Sequence, residues 1–566
     1  MGEVGASRTG ARRREGPYYS AALTPSTDLE EPSGASQQAY VPGRVARNTA
    51  IFSIFTGISR VAGMAREVVA ASFFGTLGPA SAFTIANQVP NLLSNLFAQA
   101  ALSAAFVPVF TDLLQQGRRR DAVRLASSLF WILTLVLGAL IAFFILLAGV
   151  IMPLFTGPEF NGMLNTLTIG LSRVLFPVVL LLGLNGLLVG VLQSYDHFSI
   201  PAIAPAVWNL VIIVLMVALR PHFHGGYHEG NELYAYAIAV LVATFVQLGL
   251  AFAALGRIDF RLQFHVDWRD PRIRQVFLLM FPVTIGLGIV NLDQFINAAF
   301  GTLVSVEAPA AIEKAFRIYM LPQGLFSVAV ATVLFPTLSR MASRRDPASM
   351  RRAVGRGMRQ INLLLIPSAA FLLVLATPVV RLLYERGKFD ARSTELASIA
   401  LFWFAVSLPF GGLNLLLTRT FFAVQRPWIP TRMAAINIVV DIIVSVALYK
   451  PLGIAGLVIG TAVANMLMTV LQTWRLRIGF NGYLEGGQTL MITVRILVGT
   501  IIMAAIARGI WVGLDHLLGE TLVAQIFSVG IASAVACTIY AKLMLTMRVP
   551  EARQIQALVM ARLRSA

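Results

Sequence analysis

The chain has 566 residues, of which 57% are hydrophobic and only 13% charged, and its mean hydropathy is +0.75. That mix excludes a soluble globular domain and defines a polytopic membrane protein. The formal charge of +18 would suit a nucleic-acid binder, but Lys and Arg lie in short segments between apolar spans, which argues against nucleic acid. The one cysteine, Cys537, rules out an intramolecular disulfide and leaves redox chemistry or a cysteine zinc site without support.

Residues 1–47 are rich in Ser, Gly, Pro and Arg and have no apolar core, so they read as a disordered cytoplasmic tail rather than a signal peptide. Beyond them come about fourteen segments long enough to cross a bilayer, at roughly 20 apolar residues per crossing. They fall near 48–75, 79–113, 122–155, 163–195, 198–220, 232–256, 272–304, 308–343, 350–385, 393–424, 428–449, 453–478, 487–513 and 520–547. The loops check this register, because an error of one helix would scramble the alternation of charge between the two sides. Arg118, Arg119, Arg120 and Arg124 follow span 2, Arg257 to Arg274 follow span 6, Arg340 to Arg359 follow span 8, and Arg475 and Arg477 end span 12. All fall on the side of both tails, whereas the opposite loops hold chiefly Arg220, Arg386, Lys388, Arg392 and Lys450. Both termini are therefore expected in the cytoplasm.

An internal repeat is visible at an offset of about 230 residues. Phe176-Pro177, Phe198-Ser199-Ile200-Pro201 and Asn209 are echoed by Leu408-Pro409, Pro427-Trp428-Ile429-Pro430 and Asn437. An offset spanning an even number of helices keeps both copies in one orientation, so the expected architecture is all-α, with two pseudo-symmetric six-helix lobes around a central cavity and two extra C-terminal helices. The division expected is an N-lobe at 48–256, a C-lobe at 257–480, the extra pair at 481–547 and a cytoplasmic C-tail at 548–566.

Arginines in apolar helices are costly, so they normally face a bundle interior or a watery cavity and mark a functional path. Arg60 and Arg66 lie in span 1, Arg317 in span 8. The planar guanidinium fork suits an anionic, phosphate-bearing substrate. Arg60 and Arg66 are about 1.7 turns apart and not on one stripe; Gly57, Ser59 and Gly63 would have to allow a bend to bring both into one cavity. The alternative is that Arg66 and Glu67 belong to a helix-end charge cluster and that Arg60 snorkels to an interface.

Ser59-Arg60-Val61-Ala62-Gly63-Met64-Ala65-Arg66-Glu67, Pro90-Asn91-Leu92-Leu93, Ala105-Phe106-Val107-Pro108, Phe198-Ser199-Ile200-Pro201 and Glu385-Arg386-Gly387-Lys388-Phe389 together resemble the MurJ/MviN family of lipid II flippases, in the right order from about residue 48 to about 480. The resemblance implies a fold of the multidrug, oligosaccharidyl-lipid and polysaccharide exporter superfamily, and no enzymatic step. It also implies a substrate: an undecaprenyl-diphosphate disaccharide-pentapeptide carried from the inner to the outer leaflet of the bacterial cytoplasmic membrane for peptidoglycan synthesis, with membrane lipids and cell-wall synthesis proteins as neighbours. The family's cavity arginines match Arg60, Arg66 and Arg317, and its acid after the second arginine matches Glu67; Ser59 and Asn95 complete the expected substrate site. The chain departs from the family where an acid is replaced by Ser81, and where Asn95 and Gln99 stand in place of a cation and an anion.

Asn437 and Asp441 stand at i and i+4, so both face one direction, and Asp293 lies within span 7. Oxygen ligands in an apolar helix suit a small hard cation or a proton. Some relatives hold sodium there, and the resemblance adds Thr461 to Asp293, Asn437 and Asp441 as the matching positions. It also implies that spans 13 and 14 form a groove for the polyprenyl tail.

Weaker signals carry less. His222, His224 and His228 beside Glu229 have metal-like spacing but sit in a Gly-containing outer loop and read as solvated. Gly456 and Gly460 read as close helix packing. No phosphate-binding loop or hydrolase motif is present, which argues against an ATP-driven pump. Two other readings remain: an exporter of another lipid-linked glycan or of a drug, and a non-transporting cell-wall scaffold.

Overall fold

The computed structural model describes residues 42–96, 99–160, 162–195, 197, 199–223, 230–258, 260–480, 484–519 and 521–565. Most of the expected tail, 1–41, and three members of the histidine group, His224, His228 and Glu229, lie outside the described residues. All regular elements described are helical: α1 (Pro42–Phe74), α2 (Gly78–Leu96), α3 (Gln99–Gln115), α4 (Arg119–Ile151), α5 (Gly162–Leu175), α6 (Pro177–Ser194), α7 (Ser199–Leu219), α8 (Glu232–Leu255), α9 (Pro271–Gly301), α10 (Ala308–Pro322), α11 (Val328–Ser343), α12 (Pro347–Val374), α13 (Ala376–Tyr384), α14 (Ala391–Ala423), α15 (Trp428–Leu452), α16 (Ile454–Gly479), α17 (Gly486–Leu518), α18 (Leu522–Thr546) and α19 (Pro550–Ser565).

Eleven helices, counted among the described residues, are long and apolar enough to cross a membrane, and they coincide with eleven of the expected spans. The expected spans at 48–75, 79–113 and 272–304 fall on α1, on α2 with α3, and on α9, which are also helical. Side chains such as Leu146, Leu154 and Val333 are about three-quarters exposed, at 79%, 74% and 75%. A water-soluble surface would not tolerate that display; lipid does, because acyl chains are as apolar as leucine.

Helix neighbours recur between the two halves. In the first half α1 packs on α7, α7 on α8, α6 on α8 and α4 on α6; in the second, α9 packs on α15, α15 on α16, α14 on α16 and α12 on α14. The pairing of α15 with α16 is close because Gly456 and Gly460 leave no room for a side chain: a Cβ at Gly456 would collide with the Leu448 carbonyl, and one at Gly460 with the Ser445 hydroxyl. Between the halves, α9 packs on α2 and α3, and α10 on α2. The eighth span is interrupted: Pro322 ends α10, a π-turn runs over Gln323–Ser327, and α11 continues. Such wide turns relieve the lost hydrogen bond of an internal proline and are frequent at functional sites.

The halves also meet at the end of the bundle farthest from the chain termini, through the segment Glu385-Arg386-Gly387-Lys388-Phe389. The Lys388 N–H donates to the Ser72 carbonyl at 2.8 Å, and the Lys388 ammonium reaches Glu232 at 3.1 Å. Phe389 is buried beside Tyr384, with ring centroids 5.6 Å apart, and Thr394 donates to Glu385 at 2.6 Å. Thr76 adds a buried bond to Ser393 at 2.8 Å. Two glycines permit this approach. Gly75 and Gly387 both have positive φ, at +61° and +63°, and a Cβ on either would strike backbone, of Lys388 in one case and Ser72 in the other. Glu385, Gly387, Lys388 and Phe389 thus each have a task at this end. Gly387→Ala should lower the melting temperature of the purified protein, with about 1–3 kcal/mol of backbone strain plus the collision to absorb. Gly138→Ala, in a helix with open space around it, should not lower it; differential scanning fluorimetry distinguishes the two.

Candidate functional site

Between the halves, α1, α2, α8 and α10 enclose a cavity of about 330 Å³. Its wall is built around one carboxylate, Glu67, which is 4% exposed. Lys314 Nζ lies 2.7 Å from Glu67 Oε2, Arg66 Nη2 2.6 Å from Oε1, and Arg317 Nε 3.7 Å from Oε1. Arg317 also meets Glu313 at 3.0 Å, and the Thr84 hydroxyl donates to the other Glu313 oxygen at 2.7 Å. Arg66 stacks over Trp208, 5.0 Å from the ring centroid. Helical spacing makes this possible: Glu313 and Arg317 stand at i and i+4 on α10, while Lys314 takes the neighbouring position toward α1.

A buried charge is tolerated only when paired and hydrogen-bonded, and here three cations share two acids, for a net charge of +1. The surplus is visible in the geometry, because the buried Nε donors of Arg66 and Arg317 have no hydrogen-bond partner. The site is therefore an anion receptor with donors to spare.

The structure brings together Arg66, Glu67 and Arg317 of the sequence-derived candidates, and it separates Arg60 and Ser59 from them. Arg60 is exposed and does not line the cavity; its guanidinium packs against Gly324 in the π-turn, so that a Cβ there would sit 2.7 Å from Nη1. The bend needed to bring it inward is absent, since α1 runs unbroken from Pro42 to Phe74 and a six-residue spacing turns the side chains about 120° apart. The Ser59 carbonyl accepts from Asn209 at 3.4 Å, which ties α1 to α7 away from the cavity. The Asn95 side chain lies outside the described residues. Lys314, Glu313 and Thr84 were not singled out from sequence, although an acid four residues before Arg317 inside an apolar span is a legible signal. Ser81, at the position where the family resemblance leads one to expect an acid, instead accepts from the backbone N–H of Ala310 at 3.2 Å, linking α2 to the start of α10.

A second, smaller hollow shares Thr84, Gln88, Asn91, Gln294, Glu313 and Arg317 with the first and extends to Asp293 and Asn297 on α9. There the Asn297 amide donates to Thr461 Oγ1 at 2.8 Å, and Thr461 and Ser445 donate to Asp441 Oδ1 at 3.4 and 3.3 Å. Asp441 is fully buried, and its helix α15 packs on α9, which carries Asp293. Asp293 Oδ1, Asp441 Oδ2 and Asn297 Oδ1 are buried without partners, as is the amide nitrogen of Asn437. Hard oxygen donors converging in a dry setting fit a small hard cation. Asn297 was missed from sequence; it repeats on α9 the i, i+4 spacing that Asn437 and Asp441 show on α15. His222 is exposed, and no three His, Cys, Asp or Glu side chains come together among the described residues.

A bundle of this topology, with a charged hollow between two halves, defines a membrane transporter of the exporter type. The chain superposes on a solved structure titled lipid II flippase MurJ, inward closed conformation, with a TM-score of 0.71 at 21% identity, over 88% of this chain and 100% of that one. It also superposes on an inward-facing MATE family transporter of the MOP superfamily, with a TM-score of 0.61 at 15% identity over 74% and 94% of the two chains. Residues 70–533 match the family described as lipid II flippase MurJ. Among curated relatives it is 30% identical to the lipid II flippase MurJ of Burkholderia cenocepacia over 75% of this chain and 82% of that protein, and 28% identical to the probable lipid II flippase MurJ of Treponema pallidum over 76% and 82%. The chain belongs to the MurJ lipid II flippase family.

Removing Glu67 leaves three cations in low dielectric with one acid between them. Glu67→Gln should cost the substrate-free protein stability on the order of the 3–5 kcal/mol typical of a broken buried pair. Glu67→Gln with Lys314→Gln should recover part of that loss; a thermal double-mutant cycle in detergent reads the coupling.

Proposed function

We propose that this protein carries lipid II, the undecaprenyl-diphosphate-linked peptidoglycan precursor, from the inner to the outer leaflet of the bacterial cytoplasmic membrane by alternating access. The observation that carries this reading is the net-positive hollow of Arg66, Lys314 and Arg317 between two halves of a membrane bundle. A diphosphate head group needs fixed donors to leave water, and guanidinium forks supply them in charge-assisted pairs. The same cations repel a cationic drug, which disfavours multidrug export despite the shared fold. No covalent bond changes; the halves need only bind the head group differently in two states.

In this reading the halves 48–256 and 257–480 rock about the far-end seal, and α17 and α18 guide the polyprenyl tail in lipid while the head crosses. Both termini face the cytoplasm, in keeping with the arginine-rich loops on that side. Arg60, against the π-turn, meets the head group on its way in. Sodium occupies the Asp293, Asn437, Asp441 and Thr461 site with Asn297 as a further ligand, where it would supply charge compensation between the two carboxylates. Because α9 touches both α2 and α15, an ion there is placed to bias how the halves pack.

In a bacterium depleted of its own flippase, the wild-type chain should restore growth and the exposure of lipid II on the outer face, and Arg317→Ala should restore neither. Equal rescue by both would remove the arginine mechanism. Replacing choline by sodium should raise the melting temperature of the wild-type protein, as any ligand of the folded state does, and should leave Asp441→Asn unmoved.

A further inference from the structure

Lys314 is the cation of the cavity that neither the family motif nor the sequence pattern pointed to, and its setting is informative. It is 8% exposed, lines the hollow, and lies 6.0 Å from the centre of the Tyr384 ring, with a single carboxylate oxygen at 2.7 Å. That carboxylate, Glu67, is approached by three cations at once, as the anion of a bound ligand would be. One carboxylate cannot satisfy all three: its Oε1 serves Arg66 and stands 3.7 Å from Arg317, and both Nε donors stay open.

Glu67 thus has the position and charge of an internal stand-in for an anionic substrate. We propose that Lys314 is a substrate-binding residue that selects a diphosphate over a monophosphate, and that Glu67 is a built-in counter-anion which the diphosphate displaces. The charge count supports the selection. With Glu67 in place the five groups sum to +1; with Glu67 withdrawn, three cations and Glu313 sum to +2, which matches the two negative charges of a diphosphate diester. A phosphodiester with one charge replaces Glu67 without filling the surplus, so it has little to offset the desolvation of the head group. The ammonium contributes what the planar arginines do not, a point charge with three rotatable donors that can follow a second phosphoryl group. Glu67 sits on α1 and Lys314 on α10, so the exchange also releases a tie between the halves at the moment the substrate enters.

This inference rests on the flippase reading and deepens it. Purified full-length protein in detergent, titrated with an undecaprenyl-diphosphate-linked sugar and separately with an undecaprenyl-phosphate-linked sugar, a diphosphate diester and a phosphodiester, tests it by intrinsic fluorescence and thermal shift. Wild type should bind the diphosphate about tenfold or more tightly than the monophosphate. Lys314→Gln should lose most of that preference by weakening the diphosphate alone, Lys314→Arg should keep part of it, and Glu67→Gln should bind the diphosphate more tightly than wild type despite a lower melting temperature. Retention of the full preference by Lys314→Gln, or equal weakening for both lipids, would overturn the assignment. Should Lys314→Gln fail to fold, Glu67→Gln decides, and no gain in diphosphate affinity overturns the counter-anion role. A wild type that binds neither lipid while remaining folded would instead overturn the flippase reading itself.

Discussion

One carboxylate with three cations around it is the constraint on which the rest of this molecule turns. Glu67, Arg66, Lys314 and Arg317 are drawn from two helices, one from each half, and none is tolerable in a bilayer alone. Their mutual attraction in low dielectric offsets a desolvation cost of several kcal/mol per ion, which is why they must be gathered rather than dispersed. Gathering them joins α1 to α10 and so joins the two halves. The fold can open here only if something else neutralises the cations.

That requirement connects packing to transport. The far end is closed by backbone contacts that need Gly75 and Gly387, and the middle by ion pairs that an anion can replace. A seal of the first kind is rigid and indifferent to substrate, whereas one of the second is weakened by the head group that enters. The interrupted eighth span lies directly after Arg317, and its π-turn gives the helix a place to change register without losing its hydrogen bonds altogether. Asp293 lines the second hollow, which shares Arg317, Glu313 and Thr84 with the cationic cavity. An ion or proton there and an anion in the cavity act on the same set of helices.

The departures from the family pattern acquire a physical sense in this frame. Ser81, found where the resemblance leads one to expect an acid, is spent on a backbone amide at the start of α10. An additional acid beside Glu67 and Glu313 would have neutralised the surplus positive charge; a hydroxyl does not. Glu313 and Lys314 add an acid and a cation to the same wall.

The sequence by itself determined the membrane environment, the eleven long apolar helices found among the described residues, the repeat, and the identity of Arg66, Glu67, Arg317, Asp293, Asn437, Asp441 and Thr461 as residues set in apolar helices. These are properties of composition and period, and they survive whatever the helices pack against. Tertiary structure alone decided which of those residues meet. Arg60 reads like Arg66 in sequence but turns about 120° away along an unbroken helix, and Lys314 reads as an incidental charge until α1 is laid against α10. The Glu385–Phe389 motif was legible as a family mark and meaningless as chemistry until Ser72 and Gly75 stood opposite it. The reason is the same in each case: a buried charge or a positive-φ glycine is explained by its partner, and partners separated by more than 200 residues are brought together only by the packing of the whole bundle.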